Sequence, residues 1–366
     1  MKIYPLALGL LCFATIANAK PLDFDYSISL GNFYGYTDYN SKLPTSYKHN
    51  NLNSSLNTYI NLSCDINSDY KASLIGYTMI DSAKEIENYN QGYWGEEFFL
   101  ELETPLGQLS LGQDRNVAYI FAVGAPNVGS FRINNTDLTN FFVNPNWYQK
   151  GSKSSYKTLN STYINTDGAS LKLNYITPEF YNTKVGITYV PKNNSRSGLV
   201  SKDSLSYNKE AYILGLYNSF YIKDYEIESS LGYGYYKDND EEYSLGLSIY
   251  RKGWTLGASY RQTNAKTKSL KINQATLFDG YREGSAYNIG ISYEIGPFTT
   301  GISYFNSKSD KNSNKDELIG FSNSFELNKY TTLSLTLAHQ KSTDIETIKG
   351  YATMLGLEFA LWKKYV

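Results

Sequence analysis

The groups in this chain that could do chemistry are few and poorly spaced for it. The only histidines are His49 and His339, and no serine or aspartate stands near either at a spacing that would make a base and an activated nucleophile. Glu96 and Glu97 are adjacent acids, but neighbours on a strand point to opposite faces, so they cannot work as a carboxylate pair. One mature cysteine and two distant histidines make no metal site. The glycine-rich run LGYGYY, Leu231 to Tyr236, lacks the lysine and following helix of a phosphate loop. The expectation is no catalysis, no cofactor and no bound metal.

Composition narrows the class further. The 366 residues carry 34 basic and 35 acidic side chains, a net charge of -1; a nucleic-acid binder would show a basic surplus. Tyrosine, at 36 residues, and glycine, at 28, are abundant, as in a chain of half-apolar strands. The first nineteen residues, MKIYPLALGLLCFATIANA, read as a signal peptide: Lys2, an apolar run from Leu6 to Ile16, and Ala17-Asn18-Ala19 as the cleavage motif before Lys20. The bulky Leu11 and the continuing apolar run argue against a lipid anchor at Cys12. Residues 20–366 then keep a single cysteine, Cys64, so no internal disulfide can form. That stretch holds no run of 18 apolar residues, and a closed β-barrel is the remaining way to cross a membrane.

Period two dominates the mature chain. Leu56, Thr58, Ile60, Leu62 and Cys64 alternate with Asn57, Tyr59, Asn61, Ser63 and Asp65, and Trp254, Leu256, Ala258 and Tyr260 alternate with Thr255, Gly257, Ser259 and Arg261. One face is aliphatic and aromatic, the other small or polar. A sandwich exposed to water would carry lysine and glutamate on its polar face. Here that face is rich in Gly, Ser, Thr and Asn, as the inside of a wet barrel would be, and Tyr, Trp or Phe caps the apolar strand ends like an interfacial girdle.

Connections alternate in length as well. Tight turns at 67–70, 105–107, 252–253, 296–297 and 328–330 contain Gly, Pro or Asn, while long polar segments cover 40–53, 193–208, 264–283 and 306–316. About sixteen strands are expected, at 24–38, 54–66, 71–80, 92–103, 108–114, 169–176, 184–190, 210–222, 226–237, 242–251, 254–263, 284–295, 298–306, 317–327, 332–341 and 349–362. An even count puts both termini at one rim, and a barrel of this size leaves an aqueous channel. One connection, about 115–168, is far longer than the rest, and such loops tend to be functional. Within it, Lys157 to Asn165 has some strand character, but a loop keeps the termini together.

The order of LETPLGQLSLGQDR at Leu102 to Arg115, AVGAPNVG at Ala122 to Gly129 and NYITPEFYNTKVGITYVP at Asn174 to Pro191 resembles the Gram-negative general porin family, particularly its alphaproteobacterial members. The resemblance spans the mature chain in architecture and about ninety residues in motif. It implies a homotrimer of sixteen-stranded barrels in the outer membrane, surrounded by lipid. A third external loop folds inward there, and acids on it face bases on the wall, across a passage for ions and small hydrophilic solutes. Mapped here, the constriction loop is 115–168, with Asp137 as its acid and Asp114 and Arg115 at its entrance. The ending LEFALWKKYV departs from the family's C-terminal aromatic, and the loop is poor in acids.

Residue parity adds candidates for the lumen. Glu101 and Lys172 take the polar parity and either line the channel or pair with neighbours. Arg261 is either a wall base or a rim arginine. Arg132 either pairs with Asp137 or points into the channel. Arg251 falls on the apolar parity at a strand end, where it can snorkel. The reading is a passive diffusion channel of the outer membrane; the alternatives are a barrel hydrolase with its site at the external rim, or a plugged barrel acting as a surface adhesin.

Overall fold

The computed structural model describes residues 22–39, 50–81, 94–129, 159, 161–168, 170–191, 210–237, 240–264, 283–310, 315–343 and 347–365. Its strands are β1 (Asp23–Tyr39), β2 (Asn50–Asp65), β3 (Lys71–Asp81), β4 (Trp94–Thr104), β5 (Gly107–Gln113), β6 (Leu171–Ile176), β7 (Thr183–Val190) and β8 (Ala211–Ile222). They continue as β9 (Tyr225–Tyr236), β10 (Asp240–Arg251), β11 (Trp254–Asn264), β12 (Gly284–Ile295), β13 (Phe298–Ser309), β14 (Lys315–Asn328), β15 (Thr331–Thr343) and β16 (Thr347–Tyr365). One four-residue helix, α1 (Val117–Ile120), follows β5. Each strand pairs antiparallel with its neighbours in sequence, and β1 pairs with β16 to close the barrel. Closure removes both sheet edges, so the wall leaves no row of backbone donors and acceptors unpaired.

All sixteen expected strands are present; ten are longer than read from sequence, by one to five residues, and three, β4, β6 and β8, are shorter. The turns explain where they stop. Lys252 and Gly253 both adopt positive φ, 46° and 85°, the conformation a two-residue hairpin turn needs to match strand twist. Tyr181 and Asn182, at 48° and 56°, close the longer turn between β6 and β7. The atypical C-terminal tail does not fray, since β16 runs on until Tyr365 pairs with Phe24 of β1. Of the Lys157–Asn165 stretch, residues 162–165 join no strand and Ser161 makes only an isolated bridge; residues 157, 158 and 160 lie outside the described residues.

The two faces of the wall differ as the alternation predicted. Leu231, Leu247, Leu256, Ile291 and Ile302 are each two-fifths or more exposed, an apolar band that disfavours water by about 25 cal/mol per Å². Hydrocarbon is the solvent that matches it. Aromatic pairs bracket the band. Near the short turns Trp254 stacks on Tyr293 at 4.5 Å between centroids and Phe298 sits 6.3 Å from Phe325. Toward the long connections Tyr189 pairs with Tyr212 and Tyr233 with Tyr243, each at 5.2 Å. His339 belongs to this second girdle, 4.8 Å from the Tyr351 ring; His49 lies outside the described residues. Among the described residues no helix is long and apolar enough to cross a membrane.

The opposite face carries the small residues, and two stretches of the long β5–β6 connection lie against it. Residues 117–129 cross the wall from β7 to β15 over glycines. A Cβ on Gly186 would meet the Val117 side chain at 2.8 Å, one on Gly246 would collide with the Val123 carbonyl, one on Gly257 with the Gly124 carbonyl, and one on Gly301 would meet Val128 at 2.8 Å. Such backbone-on-backbone approach needs glycine. Farther along the chain, Leu159 is buried in an apolar patch with Phe305, Leu318 and Met354.

Candidate functional site: the inner wall and the loop root

Strand parity decides which side chains reach the inside. The Gly, Ser and Asn face that meets the 117–129 stretch is the face on which Glu101, Lys172 and Arg261 lie. The wall supplies hydrogen bonds to loop backbone that strand pairing cannot satisfy: Thr188 Oγ1 accepts from Val117 N–H at 2.9 Å, Ser230 Oγ from Val123 N–H at 3.0 Å, and Asn288 Oδ1 from Ala125 N–H at 3.2 Å. Buried backbone donors need such partners. The small polar residues that the alternation placed on this face therefore do more than wet a channel.

Two buried ion pairs pin the returning limb. Arg261 of β11, fully withdrawn from solvent, bonds Glu242 of β10 at 2.8 Å. The same guanidinium donates to Asn165 Oδ1 at 2.8 Å and Thr166 Oγ1 at 2.9 Å. Lys172 of β6 pairs with Asp167 at 2.7 Å and also donates to the Asp114 and Gly168 carbonyls. Asn116 links the limbs directly: its amide donates to Ile164 O at 2.9 Å and Asp167 Oδ1 at 2.5 Å, while its oxygen accepts from Tyr119 N–H and caps α1. The planar fork of arginine suits Arg261 to bridging several acceptors at once.

These contacts give the inward bases their partners, and for Lys172 pairing with neighbours is one of its two readings. Arg261 is on the inner parity but is neither a free wall base nor a rim arginine, because its charge is matched by Glu242 and its remaining donors face the loop. Lys172 is spent in the same way. Arg251 sits at its strand end on the apolar parity, bonded to Asp224 at 2.8 Å and to the Tyr225 hydroxyl at 2.7 Å. Arg132 and Asp137 lie outside the described residues.

Glu101, Asp114 and Arg115 come together. They line one cavity of about 380 Å³ against β2 to β6, beside Glu97, Tyr59, Tyr77, Phe99 and Ile120. Glu97 pairs with Arg115 at 2.7 Å, and Arg115 lies over the Tyr119 ring, 4.9 Å from its centroid. Glu101 accepts from the Gln108 amide at 2.5 Å. Asp114 accepts from Ser110 and from Asn174, each at 2.8 Å, and from Arg115 N–H at 2.6 Å. Burial pushes the Asp114 carboxyl above the usual aspartate range, against the lowering effect of its Ser110 and Arg115 hydrogen bonds. Sequence reading missed Glu97, Tyr59, Tyr77 and Phe99 as lining groups. Their signal was present, since each holds the inward parity of its strand, but an aromatic on a wet face is not what the pattern leads one to look for.

The comparisons agree with this architecture. The family model for Gram-negative porins matches residues 6–345. Among solved structures, Salmonella typhi OmpF in complex with daunomycin is 13% identical, with a TM-score of 0.59, over 93% of this chain and 98% of that one. The anion-selective porin from Comamonas acidovorans is also 13% identical, with a TM-score of 0.57, over 93% and 100%. The in-vitro folded outer membrane protein OmpT of Vibrio cholerae, in trimer form, is 10% identical, with a TM-score of 0.58, over 93% and 99%. At such identities the likeness is one of fold. No curated protein matches the chain in sequence. With a family match over nearly its whole length and a closed sixteen-strand barrel, the chain belongs to the Gram-negative porins, outer-membrane channels for small solutes.

Proposed function

We propose that residues 115–168 form the constriction of this channel and that solutes pass it by diffusion alone, with no reaction, cofactor or metal. The observation that carries this is the seating of both limbs, 117–129 and 161–168, on the small-residue face of the wall. A segment held there reduces the open cross-section, and selection then follows from size and from the charges left facing water. Among the described residues at the loop root, the charged groups that line the open cavity are Glu97, Glu101, Asp114 and Arg115, whereas Lys172 and Arg261 are held in buried pairs. A homotrimer is part of the proposal, in line with the trimer form of the OmpT barrel, as is removal of residues 1–19 before Lys20, which N-terminal sequencing of the membrane-inserted protein reads directly.

Planar-bilayer recording of the purified, folded protein tests the main claim. Stepwise openings in KCl are expected, with a larger step once the loop is released from its clamps. Folded protein that never conducts would sink the channel reading. Unaltered conductance after deletion of residues 130–158 would sink the constriction. Against the hydrolase alternative stands the place of His339 in the outward girdle beside Tyr351; its other candidate base, His49, lies outside the described residues.

A further inference from the structure

We infer that the cavity against β2 to β6 is a subsite for small organic monocations that carry a ring or short alkyl group. The inference rests on the channel reading above and names a solute class for it.

The cavity joins two features that recognise such a ligand together. The first is uncompensated negative charge. Of its three carboxylates, Glu97 has the cationic partner Arg115, whereas the hydrogen bonds to Glu101 and Asp114 come from the neutral groups of Gln108, Ser110 and Asn174 and from a backbone N–H. The nearby Lys172 ammonium is taken by Asp167 and by two backbone carbonyls. An ammonium ion entering the cavity therefore meets two carboxylates, Glu101 and Asp114, that form no ion pair with a described side chain.

The second feature is an apolar and aromatic surround where a water-filled pore has no need of one. Tyr59, Tyr77 and Phe99 border the cavity, and Ile120 closes it from the loop, with 45% of its surface exposed. Ring faces attract ammonium groups and shelter apolar bodies. An inorganic cation gains from the acids alone, and a neutral arene from the rings alone. An arylalkyl ammonium gains from both, and the volume of about 380 Å³ admits one such ion.

The path to the cavity favours the same charge. Toward the short-turn mouth the inward parity carries Asp25 of β1, Glu103 of β4, Glu226 and Glu228 of β9, Glu294 of β12 and Glu326 of β14. On the strands, Lys71 and Lys184 are the lysines of inward parity at this level among the described side chains, and Lys184 lies 3.7 Å from Glu179; Lys223, Lys252 and Lys329 stand in the short turns themselves, Lys252 3.8 Å from Asp224. A low-dielectric wall lined by one sign of charge concentrates counter-ions at its mouth.

The test uses the full-length protein in planar bilayers, with benzylammonium, benzoate and benzyl alcohol as three probes sharing one ring. Benzylammonium is expected to reduce the KCl current at a concentration about tenfold below either other probe. Glu101→Gln is expected to weaken that block about tenfold, and Phe99→Leu to weaken it while sparing any block by methylammonium. Each variant is read against its own unblocked current, with folding confirmed by heat-modifiable migration. Equal block by all three probes, or block unchanged in both folded variants, overturns the inference and leaves the channel reading intact. Absence of any stepwise conductance overturns both.

Discussion

Arg261 and Glu242 stand on adjacent strands with Nη2 and Oε2 2.8 Å apart and both side chains shut off from solvent. The same guanidinium reaches across to Asn165 and Thr166, so one residue joins wall to wall and wall to loop. Removing one partner of a buried pair leaves the other charge stranded, at a cost of about 3–5 kcal/mol, while replacing both by apolar groups is far milder. Arg261→Met is thus expected to lower the heat-modification temperature and to make single-channel current noisier. Arg261→Met with Glu242→Leu is expected to recover most of the stability but not the quiet current, since the bonds to the loop stay lost. Equal stability of the single and double variants would refute this assignment.

The second clamp gives a prediction of the same form at the loop root. Lys172→Met strands Asp167 in a dry site and releases the Asp114 and Gly168 carbonyls. Limited proteolysis of folded barrels should show faster cutting between residues 130 and 158 in this variant than in the parent. Lys172→Met with Asp167→Asn should be cut at an intermediate rate.

The glycine crossing can be tested apart from the charges. A side chain at Gly246 would press on the Val123 carbonyl, so Gly246→Val must move the loop away from the wall. A changed single-channel step with the barrel still folded is expected. Gly76→Ala serves as the control, because its new methyl would meet only Phe98 at an ordinary 3.7 Å, and its conductance should match the parent's.

Lipid contact predicts a depth-dependent penalty on the outer face. Leu247 points outward between the Tyr243 and Trp254 girdle levels. Leu247→Arg should destabilise the barrel by about 2–4 kcal/mol in urea titrations from liposomes, the range for a charge at the bilayer midplane. Inward Ser248→Arg should cost less on the same scale, since its charge can reach water.

At the short-turn rim, hydrogen bonding by Arg251 holds the exposed Asp224 carboxyl below the usual aspartate range. A lowered value means the stabilisation is present above the ordinary aspartate pKa and is lost as pH falls through the lowered one. Asp224→Asn is therefore expected to flatten the acid side of the stability curve while leaving neutral behaviour close to the parent's. Identical acid slopes in the two proteins would count against the tether.

Period-two alternation, aromatic strand ends and alternating connection lengths were legible in the sequence because they are local. Each depends on a few residues and on the medium facing each side of a strand, so the sixteen strands, their facing and the inward parity of Glu101, Lys172 and Arg261 followed from the chain alone. What those three residues do did not follow. Whether an inward charge lines water or ends in a buried pair depends on what lies across from it, and the groups across from Arg261 are Glu242, Asn165 and Thr166, up to about a hundred residues away in sequence. Only closure of the barrel brings the loop limbs over the glycine crossing and gathers Glu97, Glu101, Asp114 and Arg115 around one cavity. The strand pattern is written in neighbouring residues, but the charge balance of the passage is set by contacts that exist only once the wall is complete.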